Sequence, residues 1–201
     1  MNNKLYYFTQ TLYSYFKVSL YFWLYLLKGL IIYGLIPSTC ALFLTMNAII
    51  EEKDDQGVKS LFKTYYEKYK KYKGQSFLFS LVLSFLFAAL FYLSKQQKSA
   101  AFIFIIVCCY FLALAAILFI YCTYLLSFRN LTFKQSIIFS FVTAFRNLFI
   151  TLGTLIVILA LLFAAYENFA FFMIFGPFLF GLAILFIFRR LKYWFPSGDA
   201  I

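Results

Sequence analysis

Acid–base, nucleophilic and metal-assisted catalysis all need ionisable or nucleophilic side chains that converge on one point. This 201-residue chain carries few of them: no histidine, seven Asp or Glu and four cysteines. Every acid falls in a connector or at the end of an apolar run. Glu167 comes nearest to membrane depth, but it stands beside Asn168 in a short break between two apolar runs, where a polar surface turn is expected. Cys40, Cys108, Cys109 and Cys122 form no C-x-x-C pair and lie in apolar runs, so they read as small core residues. A Walker-type lysine loop, H-E-x-x-H and G-x-S-x-G are all missing from the sequence. The expectation is a protein that is not an enzyme, with no catalytic residue, cofactor or metal.

Residues that could bind rather than react are easier to find. Lys28 stands inside a long apolar stretch, where a cation must snorkel, find a partner or mark a helix end. Gly34 and Pro37 interrupt the same stretch, and Ser38, Thr39, Thr45 and Asn47 follow them. Such small and hydroxyl residues pack membrane helices together or line a cavity. Arg146 and Asn147 open a later apolar run and suit contact with lipid phosphate. Gly176-Pro177 predicts a bend in the last run.

The elements that hold these residues follow from composition. Apolar residues make up 65% of the chain and charged ones 12%, far from the usual balance of about 45–50% and about 25% in soluble domains. Positions 29–50, 74–94, 99–128, 147–166 and 168–188 contain no Asp, Glu, Lys or Arg, and roughly 20 such residues cross a hydrocarbon core. The net charge of +11 falls between these runs, which orients a membrane protein and does not imply a nucleic-acid partner. The expected fold is all-α, a single integral membrane domain over 1–201 built as a polytopic bundle of five or six membrane segments. The segments are expected near 16–35, 37–51, 75–94, 100–127, 147–166 and 168–188. The choice of five or six turns on the stretch 18–50, which is either a hairpin broken near Gly34-Leu35-Ile36-Pro37 or one kinked span. No removable signal peptide is expected, and Trp23 and Trp194 read as interfacial anchors.

Seven lysines, from Lys53 to Lys73, crowd the connector 51–73, which predicts that it is cytoplasmic. Arg129, Lys134, Arg146, Arg189, Arg190 and Lys192 then fall inside with the C-terminus, and Lys95 and Lys98 outside. Two amphipathic interfacial linker helices are expected, near 57–73 and 131–146. In the first, Leu61, Phe62, Tyr65, Tyr66, Tyr69 and Tyr72 recur at helical spacing among lysines, as in a helix lying on an anionic leaflet. Laying Ser60-Leu61-Phe62 over Ser136-Ile137-Ile138 pairs Tyr65 with Phe141, Tyr69 with Phe145 and Lys70 with Arg146, which suggests an internal repeat of the kind common in transporters.

The run Gly34-Leu35-Ile36-Pro37-Ser38-Thr39-Cys40-Ala41-Leu42-Phe43, the acids between 51 and 55, and Leu61-Phe62-Lys63-Thr64-Tyr65-Tyr66-Glu67-Lys68-Tyr69 together resemble the YesL-like family of bacterial membrane proteins. Phe145-Arg146-Asn147 is similar to an R-N pair before a late span of that family, whereas Ser38 and Cys40 replace its usual alanines. The resemblance brings no catalytic residues with it. It implies a bacterial inner-membrane location, surrounded by the lipid bilayer, and an accessory or regulatory role in carbohydrate uptake with an ABC transporter permease as partner, an association by gene neighbourhood only. The alternative is a small carrier or channel, with the breaks at Pro37 and Gly176-Pro177 flanking a polar path.

Overall fold

The computed structural model describes residues 2–51, 57–96, 99–129 and 131–189, and among these it is entirely helical with no strand. Trp194, Lys53, Lys98, Arg190, Lys192 and the acids at 52, 54 and 55 lie outside the described residues.

In chain order the helices are α1 (Asn2–Lys28), α2 (Leu35–Ile50), α3 (Val58–Tyr69), α4 (Lys73–Ser94), α5 (Ser99–Phe128), α6 (Phe133–Arg146), α7 (Leu148–Glu167) and α8 (Phe169–Phe188). A 3-10 turn, Lys70–Tyr72, joins α3 to α4. Helix α1 is longer than the apolar pattern predicts, because the aromatic and polar residues before position 16 continue the helix. Four stretches, Val58–Ser94, Phe102–Phe128, Leu148–Glu167 and Phe169–Phe188, are long and apolar enough to cross a membrane, and Leu35–Ile50 is apolar but shorter. Much of α4, of α7 and of the first half of α5 faces outward, including Phe85, Phe104 and Phe163, whereas the second half of α5, from Ile117 to Leu126, is packed into the core. Apolar surface that continuous is what lipid, not water, covers.

Helix α1 turns back into α2 as a hairpin. Gly29 and Gly34 press together so tightly that a Cβ on Gly29 would fall 2.3 Å from the Gly34 Cα. Leu30 and Ile31 between them take left-handed backbone angles, φ 53° and 61°, at a cost of about 1–3 kcal/mol each. Helix α4 supports the turn: Ser76 and Ser80 donate to the Ile32 carbonyl at 2.8 and 3.1 Å, and Ile36 N–H donates to Ser76 Oγ. Tyr33 stacks on Phe77 beside them.

Helix α2 is enclosed by protein, packed by α1, α3, α5 and α8, with Cys40, Ala41, Leu42, Phe43 and Met46 all fully buried. Helix α3 runs antiparallel along it, Phe62 and Tyr66 lying with Leu42 and Met46, and Tyr69 lying with Ile36 and Cys40. The apolar face of α3 is therefore turned into the protein, and Lys59, Lys63 and Lys68 point outward. This corrects the expectation of a leaflet-bound face there.

Helix α6 is built the other way round. It starts with a capping box, in which Gln135 reaches back to Thr132 N–H and Oγ1 at 3.0 and 2.9 Å. Ser136, Ser140, Thr143 and Ala144 are its buried residues, and α5 is its main neighbour, while Ile137, Ile138, Phe141, Val142 and Phe145 are exposed. The apolar residues paired by the repeat differ in surroundings, Phe62 being 0% exposed against 63% for Ile138, and Tyr69 4% against 51% for Phe145.

Candidate functional site

The sequence-marked positions fall into three separate places. The first is the α1–α2 turn. Lys28 ends α1, exposed, with its Nζ 5.5 Å from the centre of the Tyr25 ring, so it marks a helix end. Gly34 is fixed by close approach, since an added Cβ would lie 2.9 Å from the Leu26 carbonyl oxygen. Pro37 sits in the first turn of α2, where a missing N–H leaves no helical acceptor unsatisfied. Thr39 is buried and donates to the Leu35 carbonyl at 2.7 Å. Ser38 and Thr45 are buried with hydroxyls that meet no hydrogen-bond partner.

The second place is the α6–α7 junction. Asn147 ends α6 and precedes α7, its backbone broken from helical geometry at φ −116°, ψ 63°, and its side-chain amide donates to the Thr143 carbonyl at 3.1 Å. Thr151 closes the break by donating to the Ala144 carbonyl at 2.7 Å. Arg146 is exposed in the last turn of α6, where a cation complements the helix dipole.

The gap that Pro177 leaves in the hydrogen bonding of α8 is sealed in a similar way. Pro177 cannot donate to the carbonyl four residues before it, that of Met173, and Trp23 Nε1 supplies the donor at 2.7 Å. Ser19 Oγ accepts from Phe178 N–H at 3.1 Å. Trp23 thus spends its indole N–H on α8. Of the cysteines, Cys40, Cys108 and Cys122 are buried as expected, and Cys109 is exposed.

The third place contains the candidate site. Asn47, Ile50 and Glu51 at the end of α2 meet Tyr124, Phe128 and Arg129 at the end of α5 and Leu182, Leu185, Phe186 and Arg189 at the end of α8. They border an open cavity of about 700 Å³, within the range of about 300–1,000 Å³ typical of small-molecule pockets. Tyr124 is fixed there by a hydroxyl donation to the Phe188 carbonyl at 3.4 Å and by packing of its ring on Phe128 and Phe188. A second cavity, about 290 Å³ between α1, α7 and α8, has an almost wholly apolar lining that includes Trp23, Leu26 and Pro177.

Of the sequence-marked residues, only Asn47 reaches the larger cavity. Lys28, Gly34, Pro37 and Thr39 gather at the opposite end of α2, and Arg146 and Asn147 lie elsewhere. Arg129 and Arg189 belong to the site although their positions read only as orienting charges. Their signal in the sequence is that each directly follows a long apolar helix, but nothing there says that the two helices end side by side.

A family model described as "Protein of unknown function, DUF624" matches residues 15–94, from within α1 through α4. No curated protein and no solved structure matches the chain.

Proposed function

We propose that the chain is a non-enzymatic, multi-pass protein of the bacterial cell (inner) membrane, YesL-like in kind, that serves as an accessory or regulatory partner of a carbohydrate uptake system of the ABC type. The observation that carries this reading is where the polar side chains are used. Ser76, Ser80, Ser19, Trp23, Thr39 and Thr151 all close backbone breaks or helix turns within the fold. These six side chains serve the fold's own packing, and the outer surface is apolar over four long helices, which leaves that surface as the part that meets a partner. In this reading the connector 51–73 and the C-terminus face the cytoplasm, because the lysines cluster there.

Co-expression with a carbohydrate ABC permease and purification in mild detergent test it. The permease retained at a fixed ratio to this chain is the expected result, and its loss to background level counts against the reading.

The larger cavity favours a second reading, a small carrier or channel. Against it, Pro37 is buried in α2, and the cavity that Gly176-Pro177 borders has an almost wholly apolar lining rather than a polar path. Vesicles reconstituted with the pure chain separate the two readings: sugar uptake above that of empty vesicles would support the carrier.

A further inference from the structure

We propose that the cavity between the C-terminal ends of α2, α5 and α8 binds the phosphate headgroup of an amphiphile whose apolar tail leaves across α8. Arg129 and Arg189 both border the cavity, each at the end of a helix long and apolar enough to cross the membrane. The ends of such helices lie at the level of lipid headgroups.

A blander role exists for both arginines, since each helix C-terminus carries about half a negative charge that a cation offsets. That role asks only for a cation near the last turn, which Arg146 also provides on α6 away from this cavity. It does not call for two arginines bordering one space with Asn47 beside them. Guanidinium forks match phosphate oxygens two at a time, which is why Arg and not Lys is favoured where phosphate is bound in a fixed orientation.

The walls specify the rest of the ligand. Glu51 and the carbonyl ends of three helices make part of the rim electronegative. A headgroup carrying hydroxyl or ammonium donors beside its phosphate satisfies both kinds of rim, whereas a free polyanion meets repulsion on one side. Tyr124 lines the cavity, and Phe186 borders it while remaining 79% exposed on the outer surface of α8. A tail leaving past Phe186 therefore passes straight onto lipid-covered surface.

The test uses the whole chain in a non-ionic detergent and follows its thermal unfolding with phosphatidylglycerol, phosphatidylethanolamine, diacylglycerol or inorganic phosphate added. Both phospholipids are expected to raise Tm by about 3 °C or more once present at tenfold the Kd, and diacylglycerol to leave it unchanged. The paired variant Arg129→Gln with Arg189→Gln is expected to bind phospholipid at least about tenfold more weakly. Arg→Lys at both sites should keep part of the affinity, and Lys95→Gln at the end of α4 all of it. A shift with inorganic phosphate equal to that with phospholipid would place the same chemistry on a soluble phosphate compound. The proposal is overturned if diacylglycerol matches the phospholipids, or if the folded paired variant binds like the parent. Should that variant not fold, the comparison of headgroups on the parent chain decides. None of these outcomes depends on whether a permease co-purifies.

Discussion

Helices α3 and α6 occupy equivalent places in the chain, each a short helix between an apolar one and a long apolar one, and both carry aromatic residues at helical spacing. Their faces are nevertheless reversed. Helix α3 buries Leu61, Phe62, Tyr66 and Tyr69 against α1 and α2 and shows lysines outward, whereas α6 buries Ser136, Ser140, Thr143 and Ala144 and shows Ile138, Phe141 and Val142. The difference follows from what each face has to meet. The large rings of α3 pack among Val18 of α1, Leu42 and Met46 of α2 and Phe178 of α8, and small residues let α6 lie close on α5. An apolar stripe thus states that a face avoids water, and it does not state whether protein or lipid replaces the water.

Substitutions break or sharpen this contrast in a definite order. Phe62→Ala removes a ring from the centre of the α1–α2–α3 core and is expected to destabilise by about 3–5 kcal/mol. For a chain of this size each kcal/mol corresponds to roughly 2–4 °C in Tm, so thermal unfolding in detergent should register a loss of many degrees. Ser140→Leu forces a branched side chain between α6 and α5 and is expected to cost about 1–3 kcal/mol by the same measurement. Tyr69→Phe deletes the hydroxyl that donates to the Leu126 carbonyl at 3.1 Å, at an expected cost of about 1 kcal/mol. Ile138→Ala, on the outward face of α6, should stay within about 0.5 kcal/mol of the parent. Equal losses for Phe62→Ala and Ile138→Ala would show that the two helices bury the same face after all.

Much of the fold is legible in the sequence because charge-free runs and lysine-rich connectors mark the helices directly, and α2 through α8 start and stop close to those marks. The hairpin at Gly29–Gly34 is legible only as one of two choices. A glycine pair permits a close reversal, but what holds the strained Leu30 and Ile31 in place is a pair of serines some 44 to 48 positions later. The inversion of α6 does have a local signal, since Ser136, Ser140, Thr143 and Ala144 recur on one face as a stripe of small residues. That stripe is outweighed, on composition alone, by the more conspicuous Ile and Phe opposite. Of the candidate site, Asn47 is marked by its place after Pro37. Arg129, Arg189 and Glu51 are hidden because the convergence of three helix ends depends on tertiary packing that no single segment encodes. The orphaned Met173 carbonyl is predictable from Pro177, but its donor, Trp23, is 150 positions away.

The most direct test of the opposed faces, and of burial in lipid itself, is fluorescence quenching by bromine-labelled phospholipids in reconstituted vesicles. Tryptophan is placed singly at position 138 or 62, in a chain whose Trp23 and Trp194 have been changed to Phe. Strong quenching for Ile138→Trp and weak quenching for Phe62→Trp is the predicted result, and equal or reversed quenching would contradict the account.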